Sequence, residues 1–182
     1  MNFYARKEIK DLLAYLKTID NARDDLAVRR IINVPKRGIG ATTLNRVADY
    51  AATADISFYN ALKMADDIPT LGKSAAKIKP FVNFIQVMRS KVEIISVSEL
   101  LQEIIDETGY VKELEAEDTE EAKARIENID ELISKVVAYE EGEEHPTLSG
   151  FLEEVALVAD IDSLDEGSDY VVLMTFVAAI LP

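Results

Sequence analysis

Residues 33–51, NVPKRGIGATTLNRVADYA, combine two cations with a Gly-Ile-Gly turn and an apolar-periodic run. Glycines permit backbone conformations closed to other residues and allow an anion to come close to the backbone. Amides at the turn and at the N-terminus of the following helix can then bind a phosphate. We expect Ile39 to face inward and hold two short helices together. Lys36 and Arg37 are expected to supply positive charge at the rim of this turn.

The charge of this stretch is opposite to that of the rest of the chain. The 182 residues carry a formal net charge of −14, from 20 Lys and Arg and 34 Asp and Glu. Residues 27–48 contain five basic residues and no acidic one, so this window carries +5 and the remainder −19. A polyanion would be repelled by most of the surface and attracted to one patch. The predicted DNA-binding residues are Lys36, Arg37, Gly38, Ile39, Gly40 and Thr42.

The pattern I-x-x-V-P-x-x-G-I-G-x-x-x-L-x-x-V, from residue 31 to residue 47, resembles a helix-hairpin-helix motif with two residues inserted after the proline. Such motifs contact duplex phosphates without reading the base sequence. A Gly-x-Gly between helices can also be only a turn, and the basic window is what favours DNA. Contacts of this kind give weak binding, on the order of 10⁻⁴ to 10⁻⁶ M at physiological salt.

The composition favours a helical, intracellular protein. Hydrophobic residues make up 48% of the chain, and only 7 glycines and 5 prolines interrupt it, which predicts long helices. Without cysteine there can be no disulfide or thiolate metal site, which fits a cytoplasmic location. No signal peptide is visible. The longest apolar run, residues 170–182, is shorter than the roughly 20 residues of a membrane helix, so we expect no membrane partner.

Periodicity and capping residues predict about eight helices. Pro69 and Gly72 indicate a loop, and the acidic residues 160–169 indicate a second one. The β-branched run Tyr170–Thr175 predicts a buried strand. The fold class is therefore all-α with one stray C-terminal strand, whose sheet must lie in another part of a larger protein. The predicted helices are residues 5–19, residues 26–32, a helix capped by Thr42 or Thr43, residues 58–65 after Ser57, residues 80–92 starting at Pro80, a helix from Ser96 to Gly109, residues 119–139 after Asp118, and a helix from Pro146 through Val158.

Six blocks, in order, resemble one family across nearly the whole chain. They are FYARKEIKDLLAYLKTI, IINVPKRGIGATTLNRV, DETGYVKELEAED, ARIENIDELISKV, LSGFLEEVALVADID and YVVLMT. Together they are similar to the 2B region and its flanks in UvrD/PcrA-type superfamily 1 ATP-dependent DNA helicases. In that family, 2B is a helical accessory domain inserted in motor subdomain 2A. It swivels, regulates unwinding and touches the duplex through its GIG motif.

The resemblance divides the chain into three parts. Residues 1–20 would be a flank from 2A, residues 21–168 the helical 2B subdomain, and residues 169–182 the return strand to 2A with an atypical tail. The implied partners are the duplex DNA backbone and the motor subdomains of the parent helicase, with DNA-repair proteins as further candidates. ATP and Mg would belong to the parent enzyme, and this chain would carry no cofactor.

The departures from the family pattern concern the motor. No G-x-x-x-x-G-K-[ST] phosphate loop is present, and the polar motor motif expected after Met174-Thr175 is replaced by Phe176-Val-Ala-Ala-Ile-Leu-Pro182. We therefore expect no catalytic residue, and neither ATPase nor helicase activity from this chain alone. His145 follows four glutamates in a predicted solvated loop, and no metal site is expected there.

Two other hypotheses stay open at this stage. The acidic helical surface could serve as a protein-interaction scaffold with negligible DNA binding. A complete catalytic unit is the third hypothesis, and the missing phosphate loop argues against it.

Overall fold

The computed structural model describes residues 2–166, and within that range every regular element is helical. The predicted all-α class is confirmed for these residues, while the predicted strand at Tyr170–Thr175 lies outside them. No helix in the described part of the chain is both long and apolar enough to cross a membrane. Its helices are α1 (Lys7–Asp20), α2 (Asp25–Ile31), α3 (Ala41–Ala54), α4 (Phe58–Lys63), α5 (Ala75–Lys91), α6 (Val97–Thr108), α7 (Tyr110–Glu117), α8 (Glu120–Gly142) and α9 (Leu148–Glu166), with 3₁₀ turns at Phe3–Ala5, Ala65–Asp67 and Pro69–Ser74.

Helix α1 lies at the centre of the structure. Its Ile9, Leu12 and Leu16 are fully buried, and α2, α5, α8 and α9 all pack against it. Apolar residues at this helical spacing predicted the element, although the helix starts at Lys7 because Phe3–Ala5 forms a separate 3₁₀ turn. Within residues 2–166, α1 is therefore part of the same helical body as the elements that follow it. The predicted boundary at residue 20 stays a prediction about how the parent protein is divided.

Side-chain caps start several helices where the sequence predicts them. The Ser57 hydroxyl accepts a hydrogen bond from the Asn60 amide at 3.1 Å, and the Ser96 hydroxyl accepts one from the Glu99 amide at 3.2 Å. Each hydroxyl satisfies an amide that has no partner inside its own helix. The cap of α8 is Thr119, not Asp118 as predicted. Asp118 instead has a φ of +47° and terminates α7 in the left-handed region that Asp tolerates.

Two predicted boundaries are wrong, one in α5 and one in α9. Pro80 lies inside α5, because the turn before it buries Ala75 and Ile78 and this burial compensates for the missing amide. The predicted end of a helix at Gly109 is confirmed, and a further helix, α7, begins directly after it. The predicted acidic loop is helical as far as Glu166, the end of α9.

A buried carboxylate ties three helices together. Asp11 on α1 is only 1% exposed, and it accepts hydrogen bonds from Arg30 Nε of α2 at 2.9 Å and from the Tyr110 hydroxyl of α7 at 2.7 Å. A buried charge is tolerated only when it is paired in this way. Burial raises the pKa of Tyr110 well above the usual tyrosine value, and the hydrogen bond to Asp11 raises it further.

We expect Tyr110→Phe to destabilise the protein by about 1 kcal/mol at neutral pH, because a buried hydrogen bond is lost. The pKa of Tyr110 is raised by folding, so the contribution of its phenol is complete below about pH 10 and decreases as the pH rises above that value. Urea unfolding of both proteins at pH 8 and at about pH 10.5 should therefore show a smaller difference at the higher pH. A difference that is the same at both pH values would contradict the buried phenol–carboxylate contact.

Candidate nucleic-acid interface

The Gly-Ile-Gly turn is closed by a single asparagine side chain. The nine residues between α2 and α3 reverse the chain, and Asn33 bridges this segment. Its amide nitrogen donates to the Ile39 carbonyl at 2.6 Å, and its oxygen accepts from the Ile39 amide at 3.1 Å. The Ile39 side chain is buried, facing inward as expected. The Ile39 amide is thus used inside the turn and is not available to an external anion.

Both glycines leave their outer side open. Gly38 has a φ of +72°, a conformation that favours glycine, and a Cβ added there would meet only the tip of Lys77 at 3.9 Å. Gly40 has an ordinary φ of −72°, and a Cβ added there would meet nothing within 4 Å. The absence of side chains at these two positions leaves the backbone of the turn accessible from outside.

The N-terminus of α3 has no side-chain cap. Thr42 and Thr43 were the predicted caps, and this prediction is wrong, because Gly40 occupies the N-cap position. The amides of Ala41, Thr42 and Thr43 make no hydrogen bond to the part of the chain that the structure describes, and the first turn contains no acidic residue. Thr42 is exposed. Unpaired amides at the positive end of a helix dipole favour an anion at this position.

Arg37 points into the protein, away from the rim where its charge was expected. Its guanidinium donates to the carbonyl oxygens of Ile31 at 2.7 Å and Ile32 at 3.1 Å, at the end of α2. It also donates to the Tyr15 hydroxyl at 2.7 Å and lies 4.9 Å from the centre of the Phe81 ring. A planar fork with five donors is suited to serving several acceptors at once. We call Arg37, Tyr15 and Phe81 the Arg37 latch.

The latch connects the turn to two helices of the core. Tyr15 is a fully buried residue of α1, and its hydroxyl donates to the carbonyl of Val34 inside the turn. Phe81 belongs to α5 and is 1% exposed. Burial raises the pKa of Tyr15, while the neighbouring Arg37 charge opposes this shift. The conformation of the turn therefore depends on side chains that are far away in sequence.

Two exposed lysines remain beside the turn. Lys36 is exposed and makes no hydrogen bond or ion pair with the described residues. Lys77 of α5 is also exposed, and its ammonium donates to the Gly38 carbonyl at 3.3 Å. Sequence reasoning missed Lys77 because it lies outside the basic window, and no local pattern indicates that α5 passes this turn.

The other arginines of the basic window have partners in the protein. Arg29 lies 5.2 Å from the centre of the Phe58 ring, and Arg30 is paired with Asp11. Arg46 donates to the Thr70 carbonyl at 2.6 Å, which holds α3 to the 3₁₀ turn that follows α4. Among the described residues, the positive charge facing solvent at the turn thus comes from Lys36 and Lys77. This arrangement can bind an anion through two ammonium groups and a helix N-terminus.

Truncating Arg37 and truncating its neighbour Lys36 should have different effects on the free energy of unfolding. We expect Arg37→Ala to lower the free energy of unfolding by about 2 kcal/mol, because it leaves the Ile32 carbonyl without a donor and removes one hydrogen bond each from the Ile31 carbonyl and the buried Tyr15 phenol. Arg37→Lys should recover only part of this loss, since an ammonium cannot replace a planar fork. The exposed Lys36→Ala is the matched control, with an expected change within about 0.5 kcal/mol. Urea unfolding measures all three, and equal stability of Arg37→Ala and Lys36→Ala would exclude the latch.

Comparison with known proteins assigns the chain to a family. Residues 1–179 match the UvrD-like helicase C-terminal domain. The chain is 44% identical over 183 residues to the ATP-dependent DNA helicase PcrA of Bacillus subtilis, and 42% identical over 179 residues to PcrA of Staphylococcus aureus. Each match covers 97% of this chain but only 25% and 24% of those two relatives, so the chain spans about a quarter of their length. The chain belongs to the UvrD-like helicase C-terminal domain family.

Proposed function

We propose that this chain is the accessory 2B domain of an ATP-dependent DNA helicase, and that it grips the backbone of duplex DNA at the junction with single-stranded DNA. The observation that carries the DNA contact is the uncapped N-terminus of α3, which lies beside two open glycines and two exposed lysines. On a chain of net charge −14, this corner is suited to a polyanion.

The proposed contacts use the hydrogen-bond donors at the turn that have few or no partners within the described part of the protein. The amides of Ala41 and Thr42 would donate to a phosphate oxygen, and the ammonium groups of Lys36 and Lys77 would neutralise its charge. The open backbone at Gly38 and Gly40 allows the phosphate to come close. Arg37 does not contact the DNA in this arrangement but holds the turn in its conformation. None of these groups reads a base edge, so the contact is independent of sequence.

The wider activity is proposed for the whole protein and not for this chain alone. The two relatives described above are ATP-dependent DNA helicases, and each is about four times as long as this chain. The sequence has no phosphate loop for ATP, and residues 2–166 contain no group of carboxylates or histidines suited to a metal ion. In our proposal the absent motor subdomains bind ATP and Mg. They are also partners of this domain in the cytoplasm, with DNA-repair proteins as further partners.

The charge contribution can be tested with Lys36→Glu combined with Lys77→Glu. We expect weaker binding to a random-sequence duplex at low salt, because two ammonium–phosphate contacts become repulsive. The slope of log K against log salt should become shallower by about 1.8, since each lost phosphate contact contributes roughly 0.9. Fluorescence anisotropy across a salt series, with duplexes of several sequences, measures both quantities.

The matched control is Lys112→Glu combined with Lys123→Glu, two exposed lysines on α7 and α8. This pair changes the net charge of the protein by the same amount, so it should lower the affinity much less if the contact is local. Equal effects of the two pairs would mean that the turn has no special role. Such a result, together with capture of a repair protein, would favour the protein-interaction scaffold.

The open glycine at the N-cap allows a test that leaves charge unchanged. We expect Gly40→Ala to fold, because its φ is −72° and the new methyl group meets no protein atom. Its stability cost should stay below about 1 kcal/mol, the usual loss for alanine at an N-cap. The methyl group would nevertheless occupy the space that a phosphate enters, and duplex affinity should fall several-fold. Unchanged affinity in the folded variant would show that phosphate does not approach at Gly40.

A further inference from the structure

Asn33 pairs with the backbone of Ile39 in the way that a residue of a neighbouring strand would. Its side-chain nitrogen donates to the Ile39 carbonyl at 2.6 Å, and its side-chain oxygen accepts from the Ile39 amide at 3.1 Å. The backbone dictates this orientation of the side chain, because the reverse one would place donor against donor and acceptor against acceptor. Both backbone groups of Ile39 are therefore turned toward Asn33.

This pair of bonds sets the direction of the two peptide groups that flank Ile39. Both groups are trans, and in a planar trans peptide the carbonyl and the amide point in opposite directions. Since the Ile39 amide faces Asn33, the Gly38 carbonyl of the same peptide group faces away from it. Since the Ile39 carbonyl faces Asn33, the Gly40 amide also faces away. The position of Lys77 agrees with this, because its ammonium donates to the Gly38 carbonyl at 3.3 Å.

The Gly40 amide is thus a hydrogen-bond donor that points out of the turn. It makes no hydrogen bond to residues 2–166, and Gly40 is exposed. It lies on the side of the turn where Lys77 is found, directly before the uncapped first turn of α3. The Gly38 carbonyl on this side would repel an anion, but it is bonded to Lys77. The outer side of the turn therefore offers an anion a backbone donor beside a positive charge.

The glycines of the turn explain why a side chain has to hold these peptide groups. Each of the two groups has Ile39 on one side and a glycine on the other. Glycine adopts backbone angles that are closed to other residues, as Gly38 does at a φ of +72°, so steric contacts alone do not fix either group. Without the bonds from Asn33, a peptide group of the turn could rotate and direct its carbonyl toward an approaching phosphate.

We propose that Asn33 is the positioning residue of the anion contact, because it directs the Gly40 amide outward, where this amide donates to a phosphate oxygen. The inference rests on the proposed function and adds to it one donor and the residue that aims this donor. Asn33 is half-buried and does not itself touch the phosphate. An asparagine is required, since an aspartate could accept from the Ile39 amide but could not donate to the Ile39 carbonyl.

The first measurement uses the isotope-labelled full chain, titrated with a short random-sequence duplex at low salt and followed by the backbone amide signals. We expect the signals of Gly40, Ala41 and Thr42 to shift together. The Ile39 amide should exchange slowly with solvent throughout, because it is bonded to Asn33. Shifts at Ala41 and Thr42 without a shift at Gly40 would overturn this inference and leave the proposed function standing. Absence of binding, with no shift at any of them, would overturn both.

The second measurement uses Asn33→Ala, which removes both side-chain bonds and leaves Lys36 and Lys77 in place. We expect the duplex affinity to fall about tenfold, the effect of losing one hydrogen bond to a charged group. The slope of log K against log salt should stay the same, because no ammonium–phosphate contact is lost. The matched control is Asn21→Ala, which removes an exposed side chain that accepts from the Arg23 amide at 3.1 Å and should leave duplex affinity unchanged.

Hydrogen exchange separates a positioning role from a general loss of structure. In Asn33→Ala the Ile39 amide should exchange rapidly, whereas the amide of the fully buried Leu101 in α6 should stay protected. Wild-type duplex affinity in the folded variant would overturn the proposal, and so would a lower affinity that comes with a shallower salt slope. If the variant does not fold, the response of the Gly40 amide in the unmodified chain decides.

Discussion

The candidate interface depends on the hydrogen bonds that Arg37 donates to carbonyl groups at the end of α2. A helix ends with carbonyl groups that have no partner inside the helix. Here one guanidinium serves two of them and also bonds to Tyr15 of the central helix. The last turn of α2, the start of the reversal and α1 are thereby fixed relative to one another. The open backbone at Gly38 and Gly40 is useful to a ligand only because this fixed framework presents it in one conformation.

This arrangement separates two roles that basic residues often share. Arg37 is partly buried, and its guanidinium is bound by carbonyls, a phenol and an aromatic face, so its main effect is to stabilise the turn. Lys36 and Lys77 have little interaction with the protein and remain hydrated point charges at its surface. The difference follows from side-chain chemistry, because a planar fork can satisfy several fixed acceptors and an ammonium on a flexible stem cannot. Counting basic residues in a window does not distinguish these roles.

The helices that sequence analysis located correctly are those with local signals. Ser57 and Ser96 cap their helices as predicted, and Gly109 ends α6, because each of these effects acts within a few residues. Pro80 was predicted to start a helix because the destabilising effect of a proline inside a helix can be read from the local sequence. The burial that compensates for this effect depends on the tertiary fold and cannot be read there. The candidate interface shows the same difference between local signals and tertiary contacts. The turn and its glycines were visible in sequence, whereas the inward direction of Arg37 depends on Tyr15, 22 residues away, and Lys77 reaches Gly38 from 39 residues away.

The small number of available contacts also limits what this interface can do. Two lysines and the amides of one helix N-terminus can neutralise about two phosphates, and each such contact changes log K by roughly 0.9 per tenfold change in salt. A repulsive surface of net charge −14 surrounds them, which further weakens binding at long range. In the proposed function, the interface would therefore contribute orientation more than affinity, by selecting the face of the domain that meets a duplex held elsewhere. A contact this weak would also be released easily if the domain changes position on DNA.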